Sequence, residues 1–207
     1  MTRRGLLVAL EGIDGAGKST LTRSLARRLR ARGYSVARWR EPTDPRIGRL
    51  AQSVGAADPW TGAVYFTVDR HLARPRLESL LRRHDVVLSD RSFFSTLAYQ
   101  GSALPPRERR RLAALERSAT VAPDRVLLVD LPPELALRRL GGRGRGRGPL
   151  ERRAVLARVA RAYRGLARAP GWTVLDARRP RRELTHAAVA ALRLPDGAAR
   201  RHPSGRT

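Results

Sequence analysis

The 207-residue chain contains no cysteine. Without thiols there is neither a disulfide framework nor a thiolate to bind metal or to act as a nucleophile. Aromatic residues make up only 5% of the chain, which leaves few side chains for stacking on nucleic-acid bases. Long apolar runs are also missing. The run after the basic start MTRRG ends at Glu11 after five or six residues, too short for a secretory h-region or a membrane span. A cytoplasmic location and no membrane partner are therefore expected. Acidic residues are in deficit, 18 Asp and Glu against 43 Lys and Arg, for a formal net charge of +25. Among those 43 there is one lysine, Lys18.

What is present, at 42% hydrophobic residues, suffices for one substantial core, and a single domain over residues 1–194 is the default. A net charge this high ordinarily points to nucleic acid. Here the arginines are spread through every predicted helix instead of forming one block. Near-complete replacement of lysine by arginine reads as compositional bias, and the remaining charge suits a small polyanion. Nucleic acid is not the expected partner.

Short apolar segments alternate with helical patterns along the chain. Strands are expected at 6–10, 34–39, 85–90, 125–131 and 172–177. Helices are expected at 18–32, 47–54, 61–83, 93–100, 106–119, 133–140, 152–168 and 181–193, with Pro42 and Pro45 breaking the chain between the second strand and the next helix. This order predicts an α/β fold, a five-stranded parallel sheet with helices on both faces. Ligands of such sheets bind at the carboxyl ends of the strands, and four of the motifs below fall there. Residues 195–207, PDGAARRHPSGRT, have no apolar periodicity and read as a loose tail.

The most informative stretch is ALEGIDGAGKSTLTRSLARRL, residues 9–29. Gly12-Ile13-Asp14-Gly15-Ala16-Gly17-Lys18-Ser19 fits G-x-x-x-x-G-K-[ST] between a strand and a helix, the context that a phosphate-binding P-loop requires. Its glycines let successive backbone N–H groups point at phosphate oxygens, and the following helix adds its positive end. Lys18 would reach the β- and γ-phosphates as a compact ammonium, a geometry that a planar guanidinium does not reproduce. Ser19 would hold Mg²⁺, and Thr20 closes the nucleotide-binding run. At 88–101 stands LSDRSFFSTLAYQG. Asp90 ends an apolar strand where P-loop enzymes keep a carboxylate for Mg²⁺ or its water, and Arg91 can pair with phosphate. The alternative is a surface Asp90–Arg91 pair.

These segments resemble the thymidylate (dTMP) kinase family, a branch of the P-loop nucleoside monophosphate kinases. The family reads roughly EGIDGAGKTT, REPGGTPLG, FAADR, DRYxxSxxAYQG and a late arginine-rich lid. This chain has EGIDGAGKST, REPTDPRIG (40–48), FTVDR (66–70), DRSFFSTLAYQG (90–101) and GRGRGRGPLERR (142–153), in the same order. The resemblance implies ATP and Mg²⁺ as cofactors and transfer of the γ-phosphoryl group to dTMP, giving dTDP and ADP, in a protein that usually forms homodimers.

Position by position, the resemblance implies that Phe66 stacks on the thymine ring and that Arg70, one helical turn on, meets the base edge or the acceptor phosphate. The competing reading makes Phe66 core and pairs Arg70 with Asp69. Arg40 and Arg91 match acceptor-phosphate contacts, and Pro42 matches the turn that positions the first of them. Ser95, Thr96, Tyr99 and Gln100 match the deoxyribose and base contacts. Asp14 matches a carboxylate between the acceptor and the metal. Some members carry an arginine in the P-loop where this chain has Gly15, so the catalytic arginine is expected from the lid at about 141–152. Arg143, Arg145 and Arg147 alternate there with glycine, with Glu151 beyond them.

The chain departs from the family at TDP (43–45) for GGT, at Ser92 for the tyrosine of DRY, and at Gly146 where an aspartate precedes the lid arginine. These departures leave open a different or modified deoxynucleotide, or a deoxynucleoside, as acceptor. Two readings from other classes also stand, a nucleic-acid-stimulated P-loop ATPase and a catalytically silent partner protein.

Overall fold

A computed structural model describes residues 5–141 and 152–195. Arg143, Arg145, Arg147 and Glu151 of the expected lid lie outside the described residues, as does the C-terminal segment from residue 196 onward.

Five strands, β1 (Leu6–Glu11), β2 (Val36–Arg40), β3 (Val86–Asp90), β4 (Arg125–Asp130) and β5 (Trp172–Asp176), form one sheet in the order β2-β3-β1-β4-β5. Every neighbouring pair is parallel. Between the strands run α1 (Lys18–Arg30), α2 (Pro45–Gly55), α3 (Pro59–Arg83), α4 (Phe93–Tyr99), α5 (Pro106–Ala119), α6 (Pro133–Gly141) and α7 (Arg153–Leu166), and α8 (Arg181–Ala191) follows β5. A single 3-10 turn, Gly101–Ala103, separates α4 from α5.

The two faces of β1 divide the core. Val8 and Leu10 join Leu21, Leu25 and Leu29 of α1 and Leu156, Val159 and Tyr163 of α7 on one side. Leu7 faces the other way, with Ala37, Trp39, Leu77, Leu81 and Val87 beneath α3. This alternation of period two, covered by helices above and below, explains why the strands read as continuous apolar runs. Because β3 lies on one side of β1 and β4 on the other, the chain leaving β1 enters the crevice where the sheet order reverses.

The expected elements all occur, with shifts at their ends. The helix expected at 47–54 begins at Pro45, not beyond it. Asp44 is its N-cap, its side chain accepting from Arg46 N at 2.7 Å. Proline at the first helical position lacks only an N–H that would be unpaired there anyway, so it starts this helix instead of breaking the chain. Asp58 and Pro59, from the DPW triplet expected to start the helix at 61–83, cap and open α3 in the same way. The strand expected from Tyr34 is paired only from Val36.

Candidate active site

The P-loop follows β1 directly. Gly12, Gly15 and Gly17 have φ of 143°, 82° and 101°, a region that L side chains rarely adopt. At Gly15 the close approach is decisive, because a Cβ there would stand 2.6 Å from the carbonyl oxygen of Ala136 on α6. The loop position where some relatives of the motif carry arginine is thus closed to any side chain here. Ile13 and Ala16 turn their side chains into the core. Lys18 is buried, and its Nζ donates to Gly12 O at 2.8 Å and Ile13 O at 2.9 Å. Burial and the nearby Arg91 lower its pKa to about 8 against the pull of Asp14, Asp90 and Glu11.

The chain turns at the end of β3 on Arg91, a non-glycine residue at φ 81°. Such a conformation costs about 1–3 kcal/mol, and local bonds hold it. Arg91 N donates to Leu10 O at 3.1 Å, and Ser89 Oγ donates to Arg91 O at 2.5 Å. The turn points the guanidinium across the crevice at Asp14, Nη2 to Oδ1 2.5 Å, while Nη1 donates to Ser95 Oγ at 2.9 Å. Burial alone would raise the Asp14 carboxyl. Arg91, Lys18 and hydrogen bonds from Tyr99 and Arg91 outweigh it and hold the pKa at about 2, so the carboxylate stays charged. Asp90 accepts from Ser19 Oγ. The surface Asp90–Arg91 pair is therefore corrected, since the two side chains take different partners on the P-loop.

Arg70 is likewise not paired with Asp69. Asp69 instead fastens the turn after β2, accepting from Thr43 N, Thr43 Oγ1 and Asp44 N, all at 2.8 Å. Arg70, 4% exposed, donates through Nε to Glu41 at 2.6 Å and through Nη1 to Glu116 at 2.9 Å. Burial raises the pKa of both carboxyls, with Arg70 pulling the other way. Phe66 belongs to none of the core clusters and lines a cavity.

Two cavities take up most of the expected site residues that are described, Gly12, Ile13 and Ala16 lining neither. One, of about 170 Å³, is lined by Asp14, Arg40, Phe66, Arg70, Arg91, Ser95, Thr96, Tyr99 and Gln100, together with Glu41, Pro42 and Gln52. The Glu41–Pro42 peptide bond in its wall is cis. The other, of about 720 Å³, opens over the P-loop and is lined by Gly15, Gly17, Lys18, Ser19, Thr20 and Asp90, with Arg23 of α1 and Leu140 at the end of α6. Asp14, Arg40 and Arg91 line both. Two guanidinium groups and one carboxylate thus stand at the seam between a P-loop cavity and an aromatic-walled one.

Sequence reasoning missed the layer behind these walls. Glu11, fully buried, accepts from Ser92 N, Ser92 Oγ, Ser95 Oγ and Tyr163 OH at 2.6–2.8 Å. Ser92, where the motif has tyrosine, caps α4 and ties its start to β1. Glu116 had a readable signal, an acid four residues after Leu112 on the buried face of α5. Arg139 of α6 donates to Ala16 O at 3.3 Å and Ala177 O at 3.1 Å, with no cue in its surroundings.

A parallel sheet with a P-loop at its switch point, and a second cavity meeting the first across paired arginines, defines the class of P-loop nucleotide kinases. Within that class, residues 10–189 match the family model for thymidylate kinase. The thymidylate kinase of Xanthomonas euvesicatoria pv. vesicatoria is 40% identical over 178 residues, covering 84% of this chain and 76% of the relative. That of Xylella fastidiosa is 38% identical over 178 residues, 84% of this chain and 80% of its own. A probable thymidylate kinase of Thermococcus gammatolerans is 38% identical over 156 residues, 67% and 72% of the two chains. The chain belongs to the thymidylate kinase family.

Proposed function

We propose that this protein transfers the γ-phosphoryl group of ATP to dTMP, giving dTDP and ADP. The observation that carries the reading is the seam, where Asp14, Arg40 and Arg91 face both cavities. A phosphate oxygen of the acceptor attacks the γ-phosphorus, a new P–O bond forms, and the bond to the β-phosphate oxygen breaks. The acceptor is already an anion, so no side chain acts as nucleophile. The protein's work is in-line alignment and neutralisation of charge. Backbone N–H groups of the P-loop and Lys18 hold the donor phosphates. Arg40 and Arg91 hold the acceptor phosphate against its repulsion from the donor, and Asp14 orients Arg91. Phe66 offers its ring to the base, and Ser95, Thr96, Tyr99 and Gln100 bound the sugar and base.

Ser19 and Asp90 supply hard oxygen donors on the wall of the P-loop cavity, which fits Mg²⁺ that keeps several waters. When bound, the ion neutralises charge on the transferring phosphates. Arg143, Arg145 and Arg147 are the arginines assigned to closing over ATP, an effect worth about 10³–10⁵ in rate in related hydrolases. The Cβ conflict at Gly15 supports a source of positive charge outside the P-loop. The reading extends to a cytoplasmic homodimer. Among the described residues no helix is long and apolar enough to cross a membrane. Val64, Val68 and Leu72 follow each other at i, i+4, i+8 on the exposed side of α3, as a helical contact face would.

The test is ADP release from MgATP against dTMP, dCMP and thymidine, each with and without DNA. Turnover with dTMP that exceeds the others and ignores DNA is expected. Turnover with thymidine alone, or hydrolysis stimulated only by DNA, would overturn it.

A further inference from the structure

Arg70 carries five N–H donors, and the protein occupies four of them. Nε–H goes to Glu41 at 2.6 Å, the two Nη1 hydrogens to Glu116 at 2.9 Å and Thr96 Oγ1 at 2.9 Å, and one Nη2 hydrogen to Ser92 O at 3.2 Å. Among the described residues the remaining Nη2–H has no acceptor, and Arg70 lines the aromatic-walled cavity. Glu116 is fully buried, does not line that cavity, and also accepts from Thr67 Oγ1 at 3.1 Å. Its second oxygen stands 3.1 Å from the same Nη1. Thr67 and Arg70 are three residues apart on α3, so one carboxylate of α5 clamps one face of that helix.

We propose that Glu116 is a positioning residue for acceptor recognition, turning the Arg70 guanidinium so that the cavity sees one donor instead of a two-donor fork. A fork matches a phosphate or carboxylate, whereas one N–H matches one carbonyl oxygen. Held this way, Arg70 satisfies a pyrimidine that carries an oxo group at that edge. A pyrimidine with an amino group there sets N–H against N–H and leaves a buried donor unpaired. Glu116 touches no substrate and still sets the discrimination between oxo- and amino-pyrimidine monophosphates. The inference rests on the reading of this cavity as the acceptor site.

Removing Arg70 would test little, because it strands two buried carboxylates and destabilises the fold. Glu116→Gln is the deciding change: it is isosteric, keeps one acceptor oxygen and replaces the other with an NH₂ that turns Nη1 away. In the full chain, the ratio of kcat/KM for dTMP over dCMP should fall at least about fivefold. The KM for ATP should stay within about twofold, the loss appearing in the KM for dTMP. Glu116→Ala should lower the ratio further, and Glu116→Asp should recover part of it. A structural role alone would lower kcat for both acceptors alike, so a ratio unchanged in Glu116→Gln overturns the inference, as does a parallel rise in the ATP KM. If the wild-type protein does not prefer dTMP to dCMP, the acceptor-site reading fails instead, and this outcome is seen before any variant is made.

Discussion

Lys18 is the residue proposed to meet the donor phosphates, and its surroundings account for its being a lysine. Nζ sits between two P-loop carbonyls at 2.8 and 2.9 Å, and a compact ammonium with three donors fits a space that a planar guanidinium would overfill. The same burial has a consequence for pH. The side-chain pKa drops from 10.5 to about 8, so in the free protein the ammonium discharges as pH rises through about 8. A bound triphosphate favours the charged form and raises that pKa. ATP affinity should therefore change little from this group below about pH 8 and weaken above it, by up to about tenfold per pH unit. Binding at pH 9 should take up a proton, read by calorimetry in two buffers of different ionisation enthalpy. No uptake at pH 9 would show that the phosphates do not meet Lys18. The unliganded fold should behave oppositely. The unfolded chain binds more protons between about pH 8 and 10.5, so this group's contribution to stability rises with pH there. The residues proposed to meet phosphate were legible because glycines, a lysine and arginines at fixed spacing have few other uses. Glu11 and Tyr163 were not, because each acts through partners at least 68 positions away in the chain, and spacing carries no such information; Glu116 left only the hint of an acid on the buried face of α5.

At the scale of elements, the aromatic-walled cavity proposed to take the acceptor depends on how closely α2 lies on α3. A Cβ on Gly62 would stand 2.5 Å from Gly55 Cα and 2.9 Å from Ala51 O, so the two helices touch backbone to backbone. α2 carries Gln52 to the cavity, and the turn before it is tied to Asp69 of α3. Helix propensity by itself would make alanine better than glycine by about 1 kcal/mol. Forcing the helices apart costs about 1–3 kcal/mol, and the clash is with backbone, which cannot swing aside. Gly62→Ala should thus lower the melting temperature and raise the KM for dTMP while leaving that for ATP unchanged. Gly165 on α7, where a Cβ meets nothing within 4 Å, is the control, and Gly165→Ala should leave stability equal or higher. Equal melting temperatures for wild type and Gly62→Ala would refute this packing account. The five strands, their parallel arrangement and the β–α alternation were readable from apolar runs of the right length, whereas the order of the strands in the sheet was not. The start of α2 was missed, since Pro45 reads as a breaker unless Asp44 before it is recognised as a cap.

For the whole molecule, a formal charge of +25 makes copies of the chain repel one another, yet one side of α3 exposes an apolar stripe that the proposed homodimer would cover. Val64, Val68 and Leu72 are 36%, 43% and 67% exposed, on the helix that also carries Phe66 and Arg70 to the aromatic-walled cavity. Pairing two such stripes would remove apolar surface from water at about 25 cal/mol per Å², against a long-range repulsion that salt screens. The Debye length is about 10 Å at 0.1 M and about 30 Å at 0.01 M, so added salt weakens the repulsion and leaves the apolar contact intact. Self-association through this face should therefore strengthen as salt rises from about 0.01 M to 0.1 M, the reverse of what nucleic-acid binding would show. Leu72→Arg places a charge on the most exposed residue of the stripe without touching the site, and should shift the protein to monomer in sedimentation velocity at every salt concentration. Because α3 holds Phe66 and Arg70, the monomer should also show a higher KM for dTMP than the wild type. A Leu72→Arg protein that still sediments as a dimer would move the interface to another face of the molecule.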